Sequence, residues 1–385
     1  MRAPGTGAVF PQDHGGNLRE VRERYGLEQI VDFSASINPL GHPEGLWEHL
    51  GTVWDEVLHY PDRDCEALCR AVAARFGVPR ETVVAGNGSA ELIDLLLRRL
   101  RPRRLVVCPP DFGLYDALAP AGTPVVGVPR IESEGFALDL EGLAHGIAPG
   151  DAVILSNPGN PSGCAAAPEG LVALGRRASE VGATLILDEA FADFCPEYSV
   201  LPRGAGAPGL VVLRSMTKFY GIPGLRLGFL VAHPAVARAV AELQVPWSVN
   251  ALAQAAGAYC LETADWEERT LEYVGRQRAR LAAALERLPG LRPLPSRANY
   301  LLVEVAPPAP PASEIYDGAV RRGVLVRHCG SFGLGERYLR VAVRTADENA
   351  RLVEALAGAL GVDEAAPALG PPARGEPPEA HPQGS

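Results

Sequence analysis

The sequence predicts an α/β protein, with a large domain built on a mainly parallel sheet between helices and a smaller α+β domain after it. Between about residues 80 and 232, short β-branched runs alternate with stretches that carry apolar residues at helical spacing. After Pro246 the pattern becomes helical, and three further apolar runs then precede one last helical stretch. Strands separated by helices predict a parallel sheet that is covered on both faces.

Several apolar runs of the large domain are expected to form buried strands, and the stretches Ser89–Leu100 and Pro168–Val181 are expected to form helices. The runs are Thr82–Ala85, Leu105–Cys108, Val153–Ser156, Thr184–Leu187, Val211–Leu213 and Leu227–Val231. Ligands of such sheets bind at the carboxyl ends of the strands. The loops that leave those ends are therefore the candidate functional segments.

The second half of the chain is expected to begin with two helices and to continue with strands near Tyr300–Val305, Val324–Arg327 and Tyr338–Val343. The two helices are Asn250–Leu261 and Glu267–Leu288. A last helix should end near Leu360, with Thr345 or Asp347 as its cap.

The segment Gly361–Ser385 is rich in Pro, Gly, Ala and Glu and shows no apolar periodicity, which predicts a disordered tail. No internal repeat is visible. The expected division of the chain is an N-terminal arm at 1–35, a large cofactor-binding domain at 36–265, a small domain at 266–362 and the tail at 363–385.

The charge balance excludes some classes of partner. Lys+Arg number 36 against 46 for Asp+Glu, which gives a formal net charge of -10, and no stretch concentrates basic residues. A nucleic-acid partner is not expected, because phosphate backbones need a clustered positive face. The longest apolar runs, such as Leu210–Leu213, are too short to span a bilayer, and residues 1–17 lack the apolar core of a signal peptide. We expect a cytoplasmic protein with no membrane partner.

The seven cysteines are scattered along the chain without paired CxxC modules. Cys65 and Cys69 stand one helical turn apart, which is half of a possible metal site. Because no second ligand pair follows, one face of a helix is the favoured interpretation, and no metal is expected.

Lys218 is the one lysine of the chain, so 35 of the 36 Lys+Arg residues are arginines. A guanidinium cannot form an imine and keeps its proton at working pH, whereas an amine can form the imine and can lose its proton. The sole lysine is thus a candidate covalent catalyst. The alternative is that Lys218 is a surface residue retained by chance, and composition alone leaves this alternative open.

The segment Val211–Gly228 surrounds this lysine with groups that suit an aldehyde cofactor carrying a phosphate. A strand leads into a turn that presents Ser215, Thr217 and Lys218, and a Gly-Ile-Pro-Gly turn then brings the chain to Arg226. A guanidinium pairs with a phosphate dianion, and a hydroxyl adds a neutral hydrogen bond. The segment therefore predicts one amine beside a phosphate site.

A second candidate phosphate site is Ala85–Glu91, where a strand enters a glycine-containing loop that opens a helix at about Ser89. Free backbone N–H groups and the helix dipole favour an anion there. Such turns are also common as plain connections between a strand and a helix. The segment therefore supports a phosphate site only in combination with the lysine segment.

Two further strand ends offer polar side chains. The proline-punctuated loop Ser156–Gly163 presents Asn157 and Asn160. The segment Leu185–Phe194 ends an apolar strand on Asp188, and a carboxylate there is costly unless it meets a cation. A pyridinium nitrogen is such a cation, and the pairing keeps the ring protonated as an electron sink. The alternative is that Asp188 only caps a helix or lies in a loop, which is the usual role of an isolated Asp.

The motifs GNGSAE, NPGNPSG, LDEAF, SMTKFYGIPGLRLG and YLRVAVRT occur in the order typical of the aspartate-aminotransferase superfamily of pyridoxal-phosphate enzymes. Over about residues 14–360 the chain resembles this family, and most of all the branch of histidinol-phosphate aminotransferases and threonine-phosphate decarboxylases. The resemblance implies the fold type I architecture with a seven-stranded, mainly parallel sheet. It also implies pyridoxal 5'-phosphate as cofactor, a phosphorylated amino acid as small-molecule partner, and a homodimer with shared active sites.

The resemblance assigns the catalytic roles to Lys218, which forms the Schiff base, and to Asp188, which meets the pyridine nitrogen. Asn160 is expected to bond the phenolic oxygen of the ring and to contact the substrate. Phe112, in the motif CPPDFGLY, is expected to stack on the ring.

The same resemblance implies that the cofactor phosphate is bound by Gly88, Ser89, Ser215 and Arg226. Tyr60, in HYPD, is expected to reach the phosphate of the neighbouring subunit.

The substrate is expected to be held by His14, Gly15, Ser36, Arg327 and Arg340. His14 and Gly15 stand in HGGN, and glycines beside a His can wrap an anion, although a flexible N-terminal arm is the alternative for a lone HGG. Ser36 stands in DFSASINPLG, where the decarboxylase relatives have Asn. A serine is shorter and has fewer donors.

Phe191 stands where aminotransferases of this group usually have a Tyr whose hydroxyl bonds the ring oxygen, and the decarboxylase branch is similar in having Phe. Phe191 and HGGN favour decarboxylation of L-threonine O-3-phosphate, a step of cobalamin biosynthesis, over histidinol-phosphate transamination. A regulator that binds the cofactor without catalysis would need a DNA-binding module or a broken cofactor set, and the sequence shows neither.

Overall fold

In a computed structural model, residues 15–204 and 206–362 are described. They divide into two compact units. The large unit comprises residues 37–204, 206–275 and 295–299, and the small unit comprises residues 15–36, 276–294 and 300–362. The expected tail at 363–385 lies outside the described residues.

The helices of the described ranges vary from single turns to one long helix near the middle of the chain. They are α1 (Leu18–Tyr25), α2 (Leu46–Thr52), α3 (Glu66–Phe76), α4 (Ser89–Leu100), α5 (Leu114–Ala117), α6 (Leu140–Gly146), α7 (Pro168–Val181), α8 (Leu201–Gly204), α9 (Met216–Phe219), α10 (Pro234–Ala241), α11 (Ala251–Cys260), α12 (Ala264–Leu285), α13 (Ala312–Val320) and α14 (Ala346–Ala359). None of these is long and apolar enough to cross a membrane.

The strands form one large sheet and two smaller ones. They are β1 (Val31–Asp32), β2 (Val83–Gly86), β3 (Arg104–Val107), β4 (Val125–Gly127), β5 (Asp151–Ser156), β6 (Thr184–Asp188), β7 (Leu210–Ser215), β8 (Gly228–Val231), β9 (Leu291–Pro293), β10 (Tyr300–Val305), β11 (Val324–Leu325), β12 (Arg327–His328) and β13 (Tyr338–Ala342).

The large unit is built on a seven-stranded sheet in the order β2-β8-β7-β6-β5-β3-β4. Strand β8 runs antiparallel to both of its neighbours, and the other pairs from β7 to β4 are parallel. Strands β5 and β7 are buried along their whole length, which explains their continuous apolar runs. Helix α4 buries Leu92, Ile93 and Leu96 in the same hydrophobic cluster as Ile154 and Ile186. The fold type I architecture expected from the sequence is confirmed.

The small unit holds an antiparallel sheet in the order β12-β13-β10-β9 and a parallel pair of β1 with β11. Its last helix, α14, begins with a capping box in which the Thr345 side chain accepts from the backbone N–H of Glu348. Thr345 is therefore the cap, and Asp347 lies within the first turn of the helix.

The expected elements agree with the structure within a few residues, and α4, α7 and β10 have the expected bounds. One expected strand, Val324–Arg327, is divided into β11 and β12, which pair with different partners. Strand β4 was not expected, because Val125 and Gly127 at the sheet edge are exposed and the run has no buried pattern. Cys65 directly precedes α3 and Cys69 lies on it, and both side chains are buried.

Candidate active site

The candidate site of the large unit lies at one edge of its sheet. The parallel strands β2, β3, β5, β6 and β7 all end at this edge, and the antiparallel β8 begins there. The segments that follow or precede these ends carry the residues expected from the sequence. They are Gly88 and Ser89 after β2, Phe112 after β3, Asn160 after β5, Asp188 at the end of β6, Ser215 and Lys218 at the end of β7, and Arg226 before β8.

Lys218 lies on the single turn α9, directly after β7, and is half-buried. Its Nζ donates a 2.8 Å hydrogen bond to Oγ1 of Thr217. The hydroxyls of Ser215 and Thr217 are also 2.8 Å apart. The amine is thus held beside two hydroxyl groups at the sheet edge, in a position suited to covalent chemistry with an aldehyde.

Asp188 ends β6 and is only 5% exposed. Its Oδ2 accepts a 2.7 Å hydrogen bond from the hydroxyl of Tyr115, and its Oδ1 accepts from the backbone N–H of Ala190 at 3.0 Å. Burial raises the pKa of Asp188 to about 6, while these bonds and the charge of Lys218 lower it. A carboxylate in this environment is stabilised by a cation, and a pyridinium nitrogen supplies one.

Gly88 and Arg226 lie together at the corner that is expected to bind the cofactor phosphate. Gly88 has φ +84°, and a Cβ placed on it would lie 2.6 Å from Nη2 of Arg226, so the guanidinium fills the space that a side chain would take. Arg226 itself has φ +58°, which a non-glycine residue rarely adopts. Helix α4 starts at Ser89, so its first N–H groups point at this corner.

Sequence reasoning did not identify the side chains that hold the loop before α4. Glu91 accepts from the backbone N–H of Asn87 at 2.6 Å through Oε2. Gln244 donates through Nε2 to that same Oε2 at 3.3 Å and to the carbonyl of Ala85 at 2.8 Å. Gln244 is 153 residues from Glu91 in the chain, and no local motif connects them.

The two asparagines expected after β5 differ in their surroundings. The Asn157 side chain accepts from the backbone N–H of Ala166 at 2.8 Å and donates to the carbonyl of Tyr198 at 3.2 Å, so it holds the loop itself. Asn160 is half-buried, and its backbone N–H donates to Oγ of Ser156 at 2.9 Å. Asn160 therefore remains the candidate for the ring oxygen.

The aromatic residues of the large unit occupy different environments. Phe112 packs edge-on against Tyr115, with ring centroids 5.7 Å apart. Phe191 is buried. Tyr60 is 80% exposed and stacks on Trp247, with ring centroids 4.6 Å apart.

The expected substrate residues that are described belong to the small unit. Arg327 on β12 and Arg340 on β13 are directly opposite each other in register, and both are buried. Arg340 donates to the carbonyl of Ser34 at 2.6 Å through Nη2, and burial lowers its pKa. Arg327 donates to Oγ of Ser331 at 2.7 Å.

Ser36 and Gly15 also lie in the small unit, and Ser36 is buried. A Cβ on Gly15 would collide with the carbonyl oxygen of Ser34, so this position requires glycine for close packing. His14 lies outside the described residues, and its expected role stays a prediction.

The comparisons agree with this geometry. Residues 31–356 match the family described as aminotransferase class I and II. The threonine-phosphate decarboxylase of Salmonella typhimurium is 39% identical over 360 residues, which cover 92% of this chain and 98% of that protein. The histidinol-phosphate aminotransferase of Oleidesulfovibrio alaskensis is 34% identical over 356 residues, or 90% and 91% of the two chains. The solved L-threonine-O-3-phosphate decarboxylase from Porphyromonas gingivalis is 26% identical, with a TM-score of 0.76 over 86% of this chain and 100% of that chain.

The fold and the site together define a fold type I enzyme that uses pyridoxal 5'-phosphate. The chain belongs to the aminotransferase class I and II family. The residues present fit this cofactor, because Gly88 lets the Arg226 guanidinium approach the start of α4, where backbone N–H groups and a positive charge suit a phosphate, and because a pyridinium would stabilise the buried Asp188 carboxylate.

Proposed function

We propose that this enzyme decarboxylates L-threonine O-3-phosphate to (R)-1-amino-2-propanol O-2-phosphate, a building block of the cobalamin side chain. The observation that carries the proposal is the register of Arg327 and Arg340. Residues directly opposite each other on antiparallel strands share one face of the sheet, so the two arginine side chains leave the same face. The substrate carries two anions, a phosphate and a carboxylate, which match this pair. The identity to the Salmonella decarboxylase supports the same activity.

The roles proposed for the large unit follow from its contacts. Pyridoxal phosphate, when bound, supplies a conjugated ring that accepts the electrons of the bond that is broken. Lys218 provides the amine that binds the aldehyde, and Asp188 keeps the ring nitrogen protonated. Asn160 donates to the ring oxygen, and Phe112 covers one ring face. Both catalytic side chains are held in place before the substrate binds, because Asp188 is fixed by Tyr115 and Lys218 by Thr217.

The cofactor phosphate is proposed to bind between the start of α4 and Arg226. Gly88 and Ser89 would donate from the backbone, Ser215 would donate through its hydroxyl, and Arg226 would supply the positive charge. An anchored phosphate fixes the ring against rotation, which the orientation of the breaking bond requires.

Orientation of the substrate decides which bond breaks. The carboxylate must stand perpendicular to the ring for decarboxylation, whereas the hydrogen must stand there for transamination. We propose that Arg327 and Arg340 hold the two anions of the substrate, assisted by His14, Gly15 and Ser36, so that the carboxylate takes the perpendicular position.

A homodimer is part of the proposal. Large apolar side chains are exposed in the large unit, among them Trp47, Trp54, Val57, Leu58, Tyr60, Val245 and Trp247. Exposed apolar groups of this size are typical of an association surface. We propose that a second copy of the chain covers them and that Tyr60 of each copy reaches the cofactor phosphate of the other.

A second candidate is histidinol-phosphate transamination with 2-oxoglutarate, which the identity to the Oleidesulfovibrio enzyme favours. 2-Oxoglutarate also carries two anions, so the arginine pair alone does not separate the reactions. Phe191 favours the decarboxylase, because it lacks the hydroxyl that aminotransferases of this group usually place there.

The deciding experiment supplies the purified holoenzyme with L-threonine O-3-phosphate and, separately, with histidinol phosphate and 2-oxoglutarate. We expect release of carbon dioxide and of the amino-propanol phosphate in the first reaction and little glutamate in the second. Faster formation of glutamate than of carbon dioxide would overturn the proposal. An Arg340→Gln variant should raise KM for threonine phosphate about ten- to a hundredfold, because a charged hydrogen bond contributes roughly 1.5–3 kcal/mol.

A further inference from the structure

A buried ion pair, Arg130 with Asp111, lies next to Phe112 and to the loop that carries Asn160, two of the proposed cofactor contacts. Nη2 of Arg130 and Oδ2 of Asp111 are 2.9 Å apart, and the two side chains are 1% and 3% exposed. Arg130 also donates to the carbonyl of Cys108 at 3.2 Å through Nε and to the carbonyl of Ser156 at 2.7 Å through Nη2. The pair therefore ties the segment after β3 to the end of β5.

Asp111 is also hydrogen-bonded, directly or through Ser156, to the backbone of two proposed cofactor contacts, Phe112 and Asn160. Its Oδ2 accepts from the backbone N–H of Ser156 at 3.0 Å, and its Oδ1 accepts from the hydroxyl of Ser156. That hydroxyl in turn accepts from the backbone N–H of Asn160 at 2.9 Å. Oδ1 of Asp111 also accepts from the backbone N–H of Phe112 at 2.9 Å.

The Arg130 guanidinium also packs closely against the loop that carries Asn160. A Cβ placed on Gly159 would lie 3.0 Å from Nη1 of Arg130, so the loop backbone packs closely on the guanidinium plane. Ser156 is opposite Asp188 in the sheet register. The pair thus contacts the backbone at Ser156 and packs against it at Gly159, both of which precede Asn160 in the loop, and Ser156 lies beside the strand that ends on Asp188.

A buried ion pair contributes little net stability, because desolvation of both charges offsets most of their attraction. Apolar side chains of similar size would fill the same space at lower cost. What apolar side chains could not supply is the set of directed hydrogen bonds to Ser156 and Phe112. The geometry therefore indicates a role in precise placement rather than in bulk stability.

We propose that Asp111 and Arg130 are positioning residues, which act through Ser156 to set the Asn160 side chain against the ring oxygen of the cofactor. This inference rests on the role proposed above for Asn160. A well-placed donor stabilises the deprotonated ring oxygen, so it keeps the pKa of the bound cofactor low. Loss of the pair moves the donor away and raises that pKa.

The test is a pH titration of the visible absorbance of the holoenzyme, measured without substrate. The variants are Asp111→Asn, Arg130→Lys, Ser156→Ala and Asn160→Ala. We expect Asn160→Ala to raise the pKa of the bound cofactor by about one, the energy of a hydrogen bond to a charged group. Asp111→Asn and Ser156→Ala should raise it by about half as much, and adding Ser156→Ala to Asn160→Ala should change nothing further.

A matched control comes from the opposite ends of the same two strands. Arg104 at the start of β3 pairs with Asp151 at the start of β5 at 2.5 Å, and Asp151 is also buried. Asp151→Asn breaks an equivalent pair far from the cofactor edge and should leave the titration unchanged. Arg130→Lys keeps the buried positive charge but not the full set of guanidinium hydrogen bonds, so it should raise the pKa of the bound cofactor less than Asp111→Asn does.

The inference is overturned if Asp111→Asn and Ser156→Ala titrate like the wild type, or if Asp151→Asn moves the pKa as much as Asp111→Asn does. An unmoved titration in Asn160→Ala would overturn it as well, since the effect is proposed to pass through that residue. Because the absorbance is read without substrate, failure of the decarboxylase assay would leave this result standing.

Discussion

The hydroxyl of Tyr115 donates a 2.7 Å hydrogen bond to Oδ2 of Asp188, and both side chains are buried. Burial raises the pKa of Asp188, and this bond lowers it by stabilising the charged form. Tyr115 lies in the single turn α5, and its backbone N–H donates to the carbonyl of Phe112 at 3.1 Å. One short turn therefore presents the proposed ring-stacking residue and also adjusts the ionisation of the proposed catalytic acid.

We predict that Tyr115→Phe raises the pKa of Asp188 above its present value of about 6, by up to about one. A protonated carboxyl cannot pair with a pyridinium nitrogen. Cofactor affinity should therefore begin to fall at a higher pH in the variant as the pH is lowered. The measurement is the cofactor Kd across a pH series.

The control for this prediction is Tyr25→Phe in the small unit, which removes a similar bond of 2.9 Å from Tyr25 to Oδ1 of Asp317. This variant should titrate like the wild type. An unchanged midpoint in Tyr115→Phe would contradict the role assigned to the hydroxyl.

Asp188 should also make the stability of the cofactor-free protein depend on pH. Its pKa is raised from 3.8 to about 6 by burial, so its contribution to the free energy of unfolding is present at low pH and is lost as the pH rises through about 6. We predict that Asp188→Asn removes this loss. The variant should gain stability relative to the wild type between about pH 4 and about pH 7, by up to about 3 kcal/mol.

Thermal or denaturant unfolding of both cofactor-free proteins across this pH range measures the effect. Other acids with raised pKa values, such as Glu189 and Asp193, are present in both proteins, so the difference between the two curves isolates Asp188. Parallel curves would show that Asp188 does not carry the buried charge. Added cofactor should reduce the pH dependence in the wild type alone, because its pyridinium nitrogen pairs with the carboxylate.

The covalent role of Lys218 is tested by reduction of the holoenzyme with borohydride. We expect the visible band to disappear and peptide mapping to place the adduct on Lys218, the one lysine of the chain. Lys218→Arg keeps the positive charge but cannot form an imine, so it should bind cofactor without a reducible adduct and lose almost all turnover. An adduct found only on the N-terminal amine would contradict the assignment.

The buried parallel strands could be predicted from sequence because helices cover both faces, so β5, β6 and β7 needed continuous apolar runs. Strand β4 could not, since an exposed edge strand of three residues carries no such run. Asp188 was found as the polar end of an apolar strand, whereas Lys218 was found as the one lysine of the chain, and the resemblance assigned their roles.

The supporting contacts were missed for a different reason. Asp111 and Ser156 are 45 residues apart, and Tyr115 and Asp188 are 73 apart. A local pattern shows that a residue is polar, but it does not show which distant strand end that residue meets. A buried Arg such as Arg130 becomes informative only when the sheet order places β3 beside β5.

The phosphate corner gives the last prediction. A side chain at Gly88 must adopt φ +84° and would come within 2.6 Å of Nη2 of Arg226. Backbone strain of this kind costs about 1–3 kcal/mol, and displacement of the guanidinium adds to it. We predict that Gly88→Ala weakens cofactor binding by about ten- to a hundredfold.

Gly224→Ala is the matched control, because it lies in the turn just before Arg226, has no positive φ, and its added Cβ would meet nothing within 4 Å. Both variants should be titrated with pyridoxal 5'-phosphate and with pyridoxal, which lacks the phosphate. Gly88→Ala should lose affinity mainly for the phosphorylated form, since the strain acts where the phosphate binds. An equal loss for both ligands, or an equal loss in Gly224→Ala, would show that the substitution disturbs the fold rather than the phosphate site.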